Sequence, residues 1–323
     1  MNFRTIDQRG TLEGFCLIKS AERKTSARGD AYLDMTLADK SGEINAKLWS
    51  YNPIVNGEYA ANDLVKVRGT VSQYNGTDQF RVDQIRKVTP SDGVNIEDYV
   101  ASADYSGKQM FGELMAIAES FSDKEISSLV TEIYRDNEDK LLYWPAAFKL
   151  HHAIRAGLLM HVLSIVRLCQ SVAAIYPFIN SDLLIAGAML HDIAKTVEFN
   201  VPSSGMASGY TTRGNLIGHL VDGAMIIRKY SEKLGISAET SMLLEHMVLS
   251  HHGEPEFGAA VRPSFIEAEI LSELDLMDAR IYEMREAVDS TESGEFTSKL
   301  WALDNRKLYN HGKKGNDKNI NLF

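Results

Sequence analysis

The chain has 323 residues, 44% hydrophobic and 24% charged, which allows two domains that each bury a core and excludes a disordered or low-complexity protein. Its net charge of −10 at first argues against a nucleic-acid partner, but the charge is unevenly spread. Residues 1–90 carry 13 Lys and Arg against 11 Asp and Glu, a net of +2, and the remainder 21 against 33, a net of −12, so the first part can approach phosphates while the second can hold divalent cations.

Met1-Asn2-Phe3-Arg4-Thr5-Ile6-Asp7 lacks the apolar region of a secretory signal. No apolar run is expected to reach the roughly 20 residues that span a bilayer. Cys16 and Cys169 make no metal-type spacing, and a reduced, cytoplasmic protein with no membrane partner is expected.

Residues 11–90 read as β structure. Leu12-Glu13-Gly14-Phe15-Cys16-Leu17-Ile18 is a strand, and Ala31-Tyr32-Leu33-Asp34-Met35-Thr36-Leu37-Ala38-Asp39 alternates apolar and polar side chains as a half-buried strand does. The turn Asp39-Lys40-Ser41-Gly42 leads to a third strand ending at Trp49. After a helical or irregular break over 52–62, Leu64-Val65-Lys66-Val67-Arg68-Gly69-Thr70-Val71 and Gln79-Phe80-Arg81-Val82-Asp83-Gln84-Ile85 flank an Asn75-Gly76 hairpin signal. Five short strands predict a small closed barrel.

Thr89-Pro90-Ser91-Asp92-Gly93 ends the β pattern, and 91–108 reads as a linker. From 109 the period is helical: Phe111, Leu114, Met115, Ala118 and Phe121 form one stripe, Ile126, Leu129, Val130 and Ile133 another. The helical reading continues to about 309 and defines a domain over 109–312, followed by a polar tail over 313–323.

Eight of the nine histidines fall between 151 and 252. His191-Asp192 closes an apolar helix that starts at the capping residues Asn180-Ser181, with Lys195 one turn on. By itself the pair is either a metal site or a His–Asp link satisfied by neighbouring helices. Its surroundings favour metal: His161, His219, His246, His251-His252 and Asp275 also lie on apolar helical stretches, and converging helices can present such side chains to one or two ions. Mixed imidazole and carboxylate donors together suit Mn, Fe, Co, Ni or Zn, while mostly carboxylate sites favour Mg. Asp192 is the natural bridge between two ions.

The strand order of residues 11–90 resembles the OB-fold of tRNA- and single-strand-binding proteins. That resemblance implies a groove in which Tyr32, Trp49, Tyr51, Tyr74 and Phe80 are candidates to stack on bases, with Arg68, Arg81, Lys47 and Lys66 on phosphates. The order His161, His191-Asp192, Asp275 resembles the HD superfamily of metal-dependent phosphohydrolases, which are all-α bundles. His219 and His251-His252 resemble the two-metal members, although the Gly-Tyr-Pro signature of the cyclic-dinucleotide branch is absent after His252.

Over nearly the whole chain, Pro145-Ala146-Ala147-Phe148-Lys149-Leu150-His151-His152-Ala153, Gly157-Leu158-Leu159-Met160-His161, Leu190-His191-Asp192-Ile193-Ala194-Lys195, Gly214-Asn215-Leu216-Ile217-Gly218-His219 and Leu249-Ser250-His251-His252-Gly253-Glu254-Pro255-Glu256-Phe257-Gly258 resemble the YhaM-type 3′-5′ exoribonucleases. The resemblance implies an OB barrel that feeds single-stranded RNA, or DNA, to an HD metal site. His161, His191, Asp192 and Asp275 are expected to hold one ion and His219, His251 and His252 a second. Asp192 and Lys195 are expected to act in catalysis, His152 to meet substrate at the site mouth, and His246 to support the ligands. Two other readings stay open at this point: hydrolysis of free or cyclic nucleotides, and a nucleic-acid adaptor with a structural metal. A homo-oligomer is also left open.

Overall fold

The computed structural model describes residues 11–313 except 40, 75, 104 and 149–151. Asn75 of the hairpin signal, His151, the N-terminal stretch and the tail from 314 lie outside the described residues. Five strands, β1 (Thr11–Thr25), β2 (Ala31–Asp39), β3 (Gly42–Trp49), β4 (Leu64–Tyr74) and β5 (Thr77–Lys87), form a closed barrel in the order β1-β2-β3-β5-β4. A short helix, α1 (Pro53–Asn56), sits between β3 and β4 and is capped by the Asn52 side chain, which accepts from the Ile54 amide. The strand order and this helix are those of an OB-fold.

The first strand is longer than the sequence pattern marks. Its pairing with β2 runs from Leu17 to Thr25 and its pairing with β4 from Thr11 to Leu17, with a register shift between Ile18 and Ser20. One bent strand therefore serves both neighbours, as barrel closure requires. A second irregularity falls between Arg68 and Gly69 on β4. A Cβ at Gly69 would lie 2.0 Å from the Arg81 carbonyl oxygen, so only glycine fits there.

Alternation explains one correction. Phe80 faces inward and is 0% exposed, packed with Ile18, Met35, Val67 and Val82, so it fills the barrel and cannot stack on a base. Tyr51 is also buried, its hydroxyl donating to the Gly57 carbonyl at 2.9 Å. On the outer surface Tyr32 and Trp49 are cross-strand partners with ring centroids 4.7 Å apart, and the Lys47 ammonium lies 5.2 Å from the Tyr32 centroid. Lys47 pairs in register with Arg81 on β5, and both Arg68 and Arg81 are exposed. The Tyr74 side chain lies outside the described part of its strand.

Beyond two short 3-10 turns at Pro90–Asp92 and Ile96–Asp98 the chain becomes helical. Ser106 caps α2 (Gly107–Glu119), and its capping box with Gln109 satisfies amides at both positions. Asp123 caps α3 (Lys124–Leu141). The following helices are α4 (Gly157–Ile175), α5 (Ser181–Leu190) and α6 (Lys195–Glu198). A two-stranded hairpin of β6 (Phe199–Asn200) and β7 (Gly209–Tyr210) precedes α7 (Thr212–Leu216), α8 (Gly218–Leu234), α9 (Ala238–Ser250) and α10 (Ile266–Asp289).

The apolar stripes of α2, α3, α4, α5, α9 and α10 share one core. By length and composition α4 could cross a membrane, which comes closer to a spanning length than the sequence reading allowed. Here it is a core helix: Leu158, Leu159, Val162, Ile165 and Val166 are at most 2% exposed. The helical reading to 309 also needs correction, because regular helix ends at Asp289. Residues 290–313 instead make isolated bridges, Phe296 with Tyr309 and Leu300 with Arg306, in a stretch whose apolar residues lack a helical period. The barrel meets the helical part where the Asn62 side-chain amide donates to the Ala207 carbonyl at 2.8 Å. Leu17, Leu64 and Val100 are buried together nearby.

Candidate metal centre

The site is built from helix ends. The Asn180 side chain accepts from the Leu183 amide and starts α5, whose residues from Leu183 to Leu190 are all buried. His191 and Asp192 follow at its C-terminal end, and the chain turns at once into α6. That turn is clamped from α3 and the segment after it: Lys140 donates to the Thr196 carbonyl at 2.9 Å and Trp144 Nε1 to the Lys195 carbonyl at 2.8 Å. His161 projects from the second turn of α4, His219 from the start of α8, and Asp275 and Asp278 from α10. His251 and His252 follow α9, and Gly253 turns the chain away at φ 75°. A Cβ at Gly253 would stand 2.8 Å from Ser272 Oγ.

His161 Nε2 lies 3.2 Å from His191 Nε2, 3.1 Å from Asp275 Oδ1 and 3.7 Å from Asp192 Oδ2. His191 Nε2 lies 3.3 Å from Asp192 Oδ2. The other carboxylate oxygen of Asp192, Oδ1, lies 3.6 Å from His219 Nε2 and 3.8 Å from His251 Nε2. His219, His251 and His252 in turn bring their ligand atoms within 4.8 Å of one another. Asp192 thus faces one histidine pair with each oxygen.

The outward nitrogens fix the tautomers. His191 Nδ1 faces the Ala188 carbonyl at 2.8 Å, His251 Nδ1 the Val248 carbonyl at 2.7 Å and His252 Nδ1 the Phe257 carbonyl at 3.1 Å. His161 Nδ1 faces Asp278 Oδ2 at 2.8 Å, and His219 Nδ1 faces Glu198 Oε1 at 3.0 Å. With a proton on each Nδ1, all five Nε2 lone pairs converge. Two lone pairs do not hold a 3.2 Å contact, so the His161–His191 contact needs a proton or a cation between them. Asp192 Oδ1 and His219 Nε2 are buried and have no hydrogen-bond partner among the described residues. Nitrogen and carboxylate donors at these separations fit a divalent metal, which would satisfy both orphaned atoms.

The electrostatics agree. Burial alone would raise the Asp192 pKa, but Lys195, with Nζ 2.6 Å from Oδ2, and His191 hold it well below the carboxylate range. Burial likewise opposes charge on Lys195, and Asp192 outweighs it. Burial works against ionisation of Asp275 and Asp278, yet bonds from His161 keep Asp275 low, and bonds from His152 and His161 bring Asp278 down to about 2. Burial should lower the pKa of His161, but Asp275 and Asp278 push it up to about 10, so without metal a proton enters the space that a cation would take. Burial keeps His251 well below its ordinary value, and His252 is lowered for the same reason.

His161, His191, Asp192, His219, His251, His252, Asp275 and Lys195 therefore lie in one cluster. Two expected site residues do not. His152 is 2% exposed and donates through Nε2 to Asp278 Oδ2 at 3.0 Å; it stands behind His161, braced on the Tyr282 ring at 4.1 Å, and not at the mouth. His246 accepts from the Ser264 amide at 3.0 Å and packs on Phe265. It therefore holds the approach to α10, because the helix it sits on points it away from the cluster.

Sequence reasoning passed over Glu198 and assigned no role to Asp278, the carboxylates that orient His219 and His161. It also passed over the walls of the cavity of about 920 Å³ above the cluster. Phe148, Phe199, Tyr210, Phe257 and Trp301 line this cavity, with Tyr210 packed edge-on to Phe199 and Phe148.

Residues 158–280 match the HD domain family, a span that includes His161 through Asp278 and implies dependence on a divalent metal. A protein named 3′-5′ exoribonuclease YhaM from Listeria welshimeri serovar 6b is 37% identical over 300 residues, covering 93% of this chain and 95% of that one. A protein of the same name from Listeria monocytogenes serovar 1/2a is 36% identical with the same coverage. Among solved structures, the second OB-fold domain of replication protein A from Methanococcus maripaludis covers 24% of this chain and 82% of its own at 24% identity and a TM-score of 0.20. At that score nothing is argued from the likeness, and the barrel's fold rests on its own strand order.

Proposed function

The chain belongs to the family of YhaM 3′-5′ exoribonucleases, and from that premise we propose that it hydrolyses single-stranded RNA, or DNA, from the 3′ end. His161, His191, Asp192 and Asp275 would hold one divalent ion, and His219, His251 and His252 a second, with Asp192 available to both. Mixed imidazole and carboxylate donors suit Mn, Fe, Co, Ni or Zn better than Mg. Such ions bring the pKa of bound water toward neutrality and neutralise charge that builds on the phosphate.

The chain's own residues do the rest. Lys195 engages Asp192 Oδ2 and so leaves Oδ1 free to face the second histidine group; its ammonium also lines the cavity, within reach of a phosphate oxygen. Glu198 and Asp278 hold His219 and His161 by their Nδ1 protons, which keeps the Nε2 lone pairs inward. The barrel's Tyr32–Trp49 pair gives bases a stacking surface, with Lys47, Arg68 and Arg81 beside it for phosphates. Residues 1–90 then act as the strand-binding domain and 109–312 as the catalytic one, in a cytoplasmic protein.

The observation that supports this reading is the convergence of the Nε2 atoms of five histidines on Asp192 and Asp275 beneath a cavity, in a chain with these relatives. Release of label from a 3′-labelled single strand in the presence of Mn²⁺ tests it. Wild type should release label and Asp192→Ala should not; equal release by the two would sink the proposal.

A further inference from the structure

Of the aromatic residues that line the cavity above the metal cluster, Phe148, Phe199 and Tyr210 account for one another, since Tyr210 packs edge-on against the other two. Phe257 and Trp301 also line it and stand apart. Phe257 is 69% exposed and Trp301 73%, and neither ring meets another ring or a cation among the described residues. Rings left in water forgo the gain of burying them. Packing within the chain therefore does not explain why these two are here.

Both rings are carried on tightly bonded turns. Phe257 ends the 3-10 turn Pro255–Phe257, which the Gly258 amide closes on the Pro255 carbonyl at 3.0 Å. The Phe257 carbonyl faces His252 Nδ1 at 3.1 Å, so the turn that carries this ring also orients a member of the metal cluster. Trp301 stands beside a turn in which Asp304 and Asn305 have φ of 55° and 56° and the Arg306 amide donates to the Leu303 carbonyl at 3.0 Å, as in a type I′ turn. Leu303 is 1% exposed and anchors it, and Leu300 bridges to Arg306. Backbone held in this way gives up little freedom when a flat partner lies on the ring.

The chemistry at the base of the cavity decides what that partner is. Asp192, Asp275, His219, His251 and His252 line the same cavity as the two rings, and so does Lys195. Under the exonuclease reading, the phosphate brought to these residues joins the last two nucleotides of the strand. The bases of those two nucleotides are then the flat apolar groups that enter the cavity with it. The last base of a single strand has one face uncovered, and an aromatic side chain covers that face whatever the base is.

We propose, resting on the exonuclease reading above, that Phe257 and Trp301 form a nucleobase site within the helical part, which takes the bases flanking the phosphate to be cut. The ligand is a purine or pyrimidine at the end of a strand, recognised by its face. The site therefore accepts every sequence but discriminates against a sugar that has lost its base. A base seated on Phe257 and a phosphate beside His252 are held by one turn, so stacking energy is used to place the reacting end. The barrel then need not be the sole source of stacking.

The test uses 5′-labelled single strands of one sequence with the full chain and Mn²⁺: one intact, and two in which the last or the next-to-last nucleotide is a stable abasic sugar. Well below saturation, wild type should shorten the abasic strands more slowly by about tenfold, the scale of one stacked base. Phe257→Leu and Trp301→Leu keep apolar bulk and every backbone bond. Each should slow the intact strand by a similar factor and erase the difference from one of the two abasic strands. Phe257→Tyr and Trp301→Tyr, which keep a ring, should retain that difference. Equal wild-type rates on intact and abasic strands overturn the proposal and leave the exonuclease reading standing, with the rings facing an occupant other than the strand. Leucine variants that slow intact and abasic strands alike overturn the assignment to these two rings. Hydrolysis of no strand overturns the exonuclease reading and the proposal with it.

Discussion

Asp278→Asn probes how the cluster is held without touching a residue assigned as a ligand. One oxygen of Asp278, Oδ2, accepts from both His161 Nδ1 at 2.8 Å and His152 Nε2 at 3.0 Å. These bonds fix the His161 ring, whose Nε2 then faces Asp275 at 3.1 Å. Asparagine keeps an acceptor for one of them but removes the charge, and charge-assisted bonds are about twice as strong as neutral ones. Losing such an orienting carboxylate weakens metal binding about 10–100-fold, or about 1.4–2.7 kcal/mol. Asparagine should fall at the lower end and Asp278→Ala at the upper. Alanine also strands two buried imidazoles, so about 3–5 kcal/mol of folding stability goes with it. Calorimetric titration of Mn²⁺ into each protein, below its own unfolding midpoint, separates affinity from folding. An affinity for Asp278→Asn within twofold of wild type refutes the claim that Asp278 positions His161 for a metal.

Metal uptake should release a proton. In the metal-free protein His161 has its pKa pushed up to about 10 from 6.5, so metal displaces that proton, and apparent affinity should fall by about tenfold per pH unit on lowering the pH below 10. Titrations in buffers of different ionisation enthalpy count the proton. The same raised value stabilises the chelated protein fully below pH 6.5, and that contribution is lost as pH rises through 10; a melting temperature in EDTA that does not fall across this window contradicts it. Trp49→Ala should weaken binding of a single strand in chelator by about 1–3 kcal/mol, the worth of one stacked base, at an unchanged melting temperature because Trp49 is 42% exposed; fluorescence anisotropy checks it. Phe80→Ala should instead destabilise the barrel by about 3–5 kcal/mol, seen in thermal unfolding.

The residues that cluster were legible because each stands out from its context. His161, His191, His251 and Asp275 interrupt apolar helices, and a polar group on such a helix must have a partner. What orients them was harder to see. Glu198 sits on a four-residue helix with no periodicity to read, and it matters only because the chain turns back to place it by His219. Asp278 was visible one turn after Asp275, but nothing in a sequence says that one oxygen will serve two imidazoles. The cavity walls come from distant segments, Phe148 from a loop, Tyr210 from a hairpin and Trp301 from the irregular segment after α10. No local pattern relates them. On the barrel, alternation identified β5 correctly, but alternation alone does not say which parity faces inward; Phe80 and Val82 share the inward face, and so Phe80 was assigned to the wrong side.

The charge on the cluster argues against reading His191-Asp192 as a plain structural link. Asp192, Asp275, Asp278 and Glu198 bring four carboxylates that are at most 19% exposed, against one ammonium, that of Lys195. Burying so much uncompensated negative charge is prohibitive. A single His–Asp link needs one proton, and that proton is accounted for at His161. It leaves Asp192 Oδ1 and His219 Nε2 facing each other across 3.6 Å with nothing to share. Cations at both oxygens of Asp192 remove the excess charge and satisfy both orphans at once. A metal kept only for structure has no need of a cavity of about 920 Å³ at its side, whereas a metal that acts on a strand end does.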